Sequence, residues 1–94
     1  MNNQQIMIKE IRIRYMHSDE EYQHKVDHAI GFLKKKEEVK IIVVLKGKEI
    51  THPEIGEKLL LRIAKSLEGE GNAVLPPVIN YREVYLLFTP KTAG

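Results

Sequence analysis

From Ile8 to Tyr15 the chain alternates between apolar and charged positions, with Ile11, Ile13 and Tyr15 on one side and Glu10, Arg12 and Arg14 on the other. A period of two carried by β-branched residues predicts a half-buried strand. The period then changes. Tyr22, Val26, Ala29, Ile30 and Leu33 recur at helical spacing and predict a helix over about 19–36. Ser18 and Glu21 stand at capping-box spacing at its start. Acids fill the first turn and Lys34, Lys35 and Lys36 the last, as the helix dipole favours.

Val39–Lys46 predicts a second strand. Val39, Ile41, Val43 and Leu45 share one face, while the other (Lys40, Ile42, Val44, Lys46) is apolar in its middle, which suits a central position. Lys46-Gly47-Lys48 turns the chain. Thr51-His52-Pro53-Glu54 opens a second helix, with capping-box spacing and a proline where a missing N–H costs nothing. Ile55, Leu59, Leu60, Ile63, Ala64 and Leu67 supply its buried stripe, and Gly69-Glu70-Gly71 is expected to end it through a left-handed glycine. Ala73–Leu75 predicts a short edge strand stopped by Pro76-Pro77, Val78–Arg82 a connection, and Val84–Thr89 the last strand before a polar tail.

The order βαβαββ defines an α/β two-layer (α+β) domain. Right-handed βα crossovers place two helices on one face of a mixed four-stranded sheet and leave the other face open. Residues 1–7 are expected to be a flexible N-terminal segment, 8–91 the domain and 92–94 a tail.

Ninety-four residues suffice for one domain, and an apolar fraction of 43% lets it build a core. No cysteine is present, which removes disulfides and cysteine-based zinc sites. No apolar run approaches the roughly 18 residues of a spanning helix, so a soluble, cytoplasmic protein with no membrane partner is expected. Fifteen basic against thirteen acidic residues leave a net charge of only +2, too little to name a partner. The positions of the charges have to do that.

Chemistry at a reactive centre finds little support. His24 and His28 share a helical face beside Asp27, but the zincin glutamate is missing and no third ligand is close, so no metal is expected. His17 and His52 flank helix starts and read as capping or loop residues. Nucleophile elbow, phosphate-binding glycine loop and paired-carboxylate patterns are all absent, and no enzyme activity, cofactor or small-molecule substrate is expected. The basic residues carry more. Arg12 and Arg14 project from the open sheet face, Lys46 and Lys48 bracket a glycine turn, Lys25 and Arg62 lie on the two helices, and Arg82 precedes the last strand. An arginine fork donates two parallel hydrogen bonds to a phosphate, and a lysine adds a mobile charge. The strands lack the aromatic signature of an RRM and the chain lacks a KH-type GXXG loop, so RNA contact would go to phosphate and shape.

Ile8-Lys9-Glu10-Ile11-Arg12, Tyr22 with Lys25, the run from Gly47 to Gly56, and Arg82 through Pro90-Lys91 together resemble the C-terminal domain of bacterial translation initiation factor 3. The most specific stretch is the glycine-basic-Glu, His, Ile-Gly pattern at 47–56. This resemblance implies the βαβαββ fold and binding to the platform of the small ribosomal subunit through its rRNA. It also implies hindrance of premature large-subunit joining and support for start-codon and initiator-tRNA fidelity, by a monomer that uses no cofactor. Family positions that bind the ribosome fall on Arg14, Lys25, Arg62 and Arg82, and Lys46 and Lys48 replace turn arginines. Arg12 and Lys91 complete the expected RNA-binding set. Asp27, Gly31 and Val44 stand where the family is often basic, Ile42 replaces a polar residue, and the segment between Leu75 and Arg82 is shorter. The family's N-terminal domain and lysine-rich linker have no counterpart here. Ile42 and Val44 leave two readings open: a patch for a protein partner or a second copy, or a surface covered by neighbouring strands and lysine stems.

Overall fold

The structure, a computed structural model, describes residues 8–91. The segments expected to be a flexible N-terminus (1–7) and a tail (92–94) lie outside the described residues. The elements are β1 (Ile8–Arg14), α1 (Asp19–Lys34), β2 (Glu38–Val44), a 3₁₀ turn (Gly47–Thr51), α2 (Glu54–Ser66), β3 (Gly71–Asn80) and β4 (Glu83–Pro90). The sheet order is β1-β2-β4-β3, with β1 parallel to β2 and the remaining pairs antiparallel. This is the expected βαβαββ fold with a mixed four-stranded sheet.

The inner sheet face is apolar on β1, β2 and β4. Ile11 and Ile13 of β1, Val39, Ile41 and Val43 of β2, and Val84, Leu86 and Phe88 of β4 pack with Val26, Ala29 and Leu33 of α1 and Leu59, Leu60 and Ile63 of α2. Register places Ile11 beside Ile41 and Leu86, and Ile13 beside Val43 and Val84, so the alternation of each strand meets that of its neighbour. Gly56 lets α2 settle on β4, because a Cβ there would stand 3.0 Å from a Val84 methyl.

Chain reversals depart from the sequence expectations. Ser18 does cap α1 by accepting the Glu21 N–H at 3.1 Å. At the other end Lys36, with φ +68°, takes the left-handed conformation: its N–H donates to Leu33 O at 2.9 Å, and Glu37 N–H donates to Phe32 O at 3.1 Å. That pair of bonds is a Schellman motif built on lysine. Gly69 and Gly71 do not adopt positive φ, and α2 closes instead through the Leu67, Glu70 and Gly71 N–H groups. Gly71 is required for space: a Cβ would lie 2.9 Å from both Leu33 Cδ1 and the Thr89 carbonyl.

The capping box expected at Thr51–Glu54 is not formed. The chain winds first into the 3₁₀ turn, entered through Gly47 at φ +60°, where Glu49 accepts the Lys46 N–H at 2.8 Å and Thr51 donates back to Lys48 O at 2.8 Å. The first N–H groups of α2 are then met by the His52 and Pro53 carbonyls. β3 is also longer than the expected Ala73–Leu75. An irregularity between Val74 and Val78 absorbs Pro76-Pro77, and pairing with β4 resumes through Asn80. The edge position is as expected.

Two substitutions separate these effects. Gly31 sits inside α1 in its last turn, exposed, with nothing within 4 Å of a Cβ, so Gly31→Ala should stabilise by about 0.5–1 kcal/mol through backbone entropy. Gly71→Ala should destabilise by about 1–3 kcal/mol through overpacking against Leu33 and Thr89. Urea denaturation of both variants checks the signs.

Candidate nucleic-acid interface

Parallel pairing of β1 with β2, and the antiparallel return of β4, bring three segments to one end of the sheet. Arg14 closes β1 opposite Val44, and Val44 in turn faces Glu83 of β4. With neighbouring strands about 4.8 Å apart, the Arg14 and Glu83 backbones are separated by roughly 10 Å. Lys46 and Lys48 follow β2 at this end, and Arg82 occupies the β3–β4 turn. A hydrogen bond of 2.8 Å from the Leu45 N–H to the Arg82 carbonyl locks the turn to the segment leaving β2. Lys46, Gly47, Ile50 and Arg82 line a shared hollow of about 350 Å³ there. Tyr81, with φ +56° and 68% exposed, holds its ring at the hairpin tip, with the Arg82 guanidinium 5.3 Å from the ring centre.

The other expected cations lie elsewhere. Arg12 does project onto the open face, but Nη1 donates to Glu83 at 2.7 Å and Nη2 stands 3.6 Å from Glu10. The hydrogen bond and charge of Glu83, with a smaller contribution from Glu10, hold this guanidinium above its ordinary range. Arg12 thus reaches across β2 with its charge offset by two carboxylates. Lys91 lies at the opposite end of the sheet, where its carbonyl accepts from Lys36 Nζ at 3.0 Å. Lys25 is half-buried on the flank of α1 shared with His28 and Phe32, which turns toward Lys9 of β1. Arg62 belongs to α2. Its guanidinium carbon stands 4.3 Å from the centre of the Tyr22 ring, whose hydroxyl shares a 3.0 Å hydrogen bond with Ser66.

One basic residue escaped the sequence reading. Lys58 stands one turn before Arg62 and lines a cleft of about 480 Å³ with Arg62, His17 and Met16. The signal was there in the i, i+4 spacing of two cations on one helical face.

The open face resolves the readings of Ile42 and Val44. Ile42 is only 1% exposed, flanked in register by Arg12 and Tyr85, while the Lys40 ammonium lies 4.1 Å from the Tyr85 ring centre. Neighbouring side chains cover it, so it is not a free apolar patch; Val44 is half-buried beside it. Exposed apolar side chains concentrate instead on β3, at Val74, Leu75, Val78 and Ile79. Asp27 accepts from Gln23 at 2.9 Å, and the His28 ring stacks on Phe32 at 4.9 Å. No cluster of three metal-binding side chains occurs among the described residues. His17 donates through Nδ1 to the Arg14 carbonyl at 3.0 Å, and His52 follows the 3₁₀ turn with Nδ1 3.4 Å from Glu54, so both are loop residues.

A small two-layer domain with arginine and lysine gathered at one sheet end is the class this geometry defines. The family model for the C-terminal domain of translation initiation factor IF-3 matches residues 6–91, and the chain belongs to that family. Translation initiation factor IF-3 of Parabacteroides distasonis is 40% identical over 89 residues, which cover 95% of this chain and 43% of that protein. The factor of Phocaeicola vulgatus is 38% identical over 95% of this chain and 45% of its own length. That of Synechococcus sp. (strain RCC307) is 36% identical over 93% and 40%. The chain therefore spans less than half the length of these relatives. No described helix is long and apolar enough to cross a membrane.

A cation free to meet phosphate contributes about one unit to the salt dependence of RNA affinity. Arg82→Ala should therefore lower the slope of log affinity against log salt by about one unit. Arg12→Ala should leave it unchanged, since Glu83 and Glu10 already offset that charge. Anisotropy titrations of an RNA hairpin between about 50 and 200 mM salt distinguish the two.

Proposed function

We propose that residues 8–91 act as the ribosome-binding unit of an initiation factor. The domain docks on the small ribosomal subunit through its rRNA, as a monomer in the cytoplasm, hinders premature joining of the large subunit and supports start-codon and initiator-tRNA fidelity. The observation that carries this reading is the gathering of Arg14, Lys46 and Arg82 at one end of the sheet in a chain of this family. Such a surface binds and positions; its work requires no bond to be made or broken. Arg14, Lys46, Lys48 and Arg82 form the principal RNA-facing set, with Arg62 and Lys25 as separate contacts on the helix layer. Arg12 serves the sheet, and Lys91 is remote from the main set.

A protein or self-contact is a second reading, favoured by the exposed apolar side chains of β3. Concentration-dependent dimerisation in sedimentation velocity, lost in Val78→Lys, would support it.

The ribosomal reading is tested by co-sedimentation with purified small subunits. Binding is expected at low salt and weaker binding at moderate salt; absence at both overturns it. Arg62→Ala and Arg82→Ala should each weaken the complex by about 1–3 kcal/mol, as expected for charge-assisted bonds to phosphate.

A further inference from the structure

The cleft between the entry to α1 and the face of α2 combines two features. Tyr15, Ile55 and Leu59 give it an apolar floor, and Met16 stands at its edge 70% exposed. His17, Lys58 and Arg62 supply the polar rim, and no carboxylate belongs to the lining. Lys58 and Arg62 sit four residues apart on one helical face, where like charges repel unless an anion lies between them. Neither forms an ion pair among the described residues. Arg62 is also held in place by stacking on Tyr22, which Ser66 anchors through its hydroxyl. A fixed guanidinium beside a second cation is suited to an anion, whereas the floor and Met16 are suited to a flat apolar body. The volume of about 480 Å³ is adequate for a small ligand.

An unstacked nucleotide has both parts, joined at the right scale. A duplex presents phosphates but keeps its bases stacked away. We propose that this cleft holds one unstacked nucleotide of single-stranded or looped RNA, with the base against Tyr15, Met16 and Ile55 and a phosphate between Lys58 and Arg62. The inference rests on the RNA-binding reading above and adds to it a preference for exposed over paired bases.

The test uses the whole chain and fluorescence anisotropy with a labelled single-stranded adenosine octamer. An abasic oligomer with the same number of phosphates and a blunt RNA duplex serve as comparisons. The octamer should bind about tenfold more tightly than the abasic oligomer, as base stacking on a protein surface allows. Met16→Ser removes an already exposed side chain, so the fold is kept, which a thermal melt verifies. It should reduce the preference to about twofold while leaving abasic binding unchanged. Lys58→Ala should weaken both oligomers. Equal binding of octamer and abasic oligomer, or a preference that survives Met16→Ser, overturns the proposal. Discrimination by a chain that fails to co-sediment with small subunits supports the cleft and overturns the ribosomal reading. Co-sedimentation without discrimination does the reverse.

Discussion

The inner faces of β2 and β4 meet the two helices at a contact on which the remaining geometry depends. Val39, Ile41 and Val43 lie beside Phe88, Leu86 and Val84, and Leu33, Leu60 and Ile63 close over them. Removing each such side chain from water contributes on the order of 1.5–3 kcal/mol. The pairing register that this burial selects also determines the surface. β2 ends where β4 begins, so Lys46 and Arg82 are carried to the same place, and the parallel β1 delivers Arg14 beside them. The position of the cations follows from hydrophobic burial several residues away. A one-residue slip would turn the apolar set outward and scatter the charges.

The same register explains why much of the fold was legible in the sequence. The alternation of Ile11 and Ile13 and the helical spacing of Tyr22, Val26, Ala29 and Leu33 each correspond to burial in the structure, because each is a local record of one buried face. Turn chemistry was less legible. Glycine permits a left-handed backbone without compelling it, and here the left-handed residue after α1 is Lys36 while Gly71 serves close packing. Likewise Thr51 and Glu54 have capping-box spacing, but Thr51 ends the 3₁₀ turn with its hydroxyl donating to the Lys48 carbonyl, and α2 is capped from Pro53 instead. Pro76-Pro77 suggested a strand end because the interruption is local; its resumption at Val78 depends on Tyr85 across the sheet.

For the candidate site, residue type was legible and company was not. Arg12 and Arg14 are two residues apart on the same strand face, and it is Arg12, not the Arg14 that shares a register row with Glu83, that bonds to this acid 71 positions later. That ion pair also helps explain the cover over Ile42, since the long side chain has to cross β2 to reach its acid. Lys58 is legible in its i, i+4 spacing from Arg62, but that spacing does not encode the approach of Tyr15 and Met16 to α2. Long-range pairing, which sequence spacing does not encode, sorted interchangeable-looking cations into strap, rim and free end.

The proline pair in β3 has a consequence for the sheet as a whole. Among the described residues nothing pairs with the outer side of β1 or β3, and an open border is a template on which foreign strands can grow. β1 carries Lys9, Glu10, Arg12 and Arg14 along its border, which makes an added apolar strand unwelcome. β3 is uncharged from Gly71 to Asn80 and lacks that protection. Two adjacent residues without an N–H, set in an irregular stretch, deprive it of donors midway, so a recruited strand could not zip along its full length. The prolines thus give this apolar border a brake on strand addition that needs no charge placed on it.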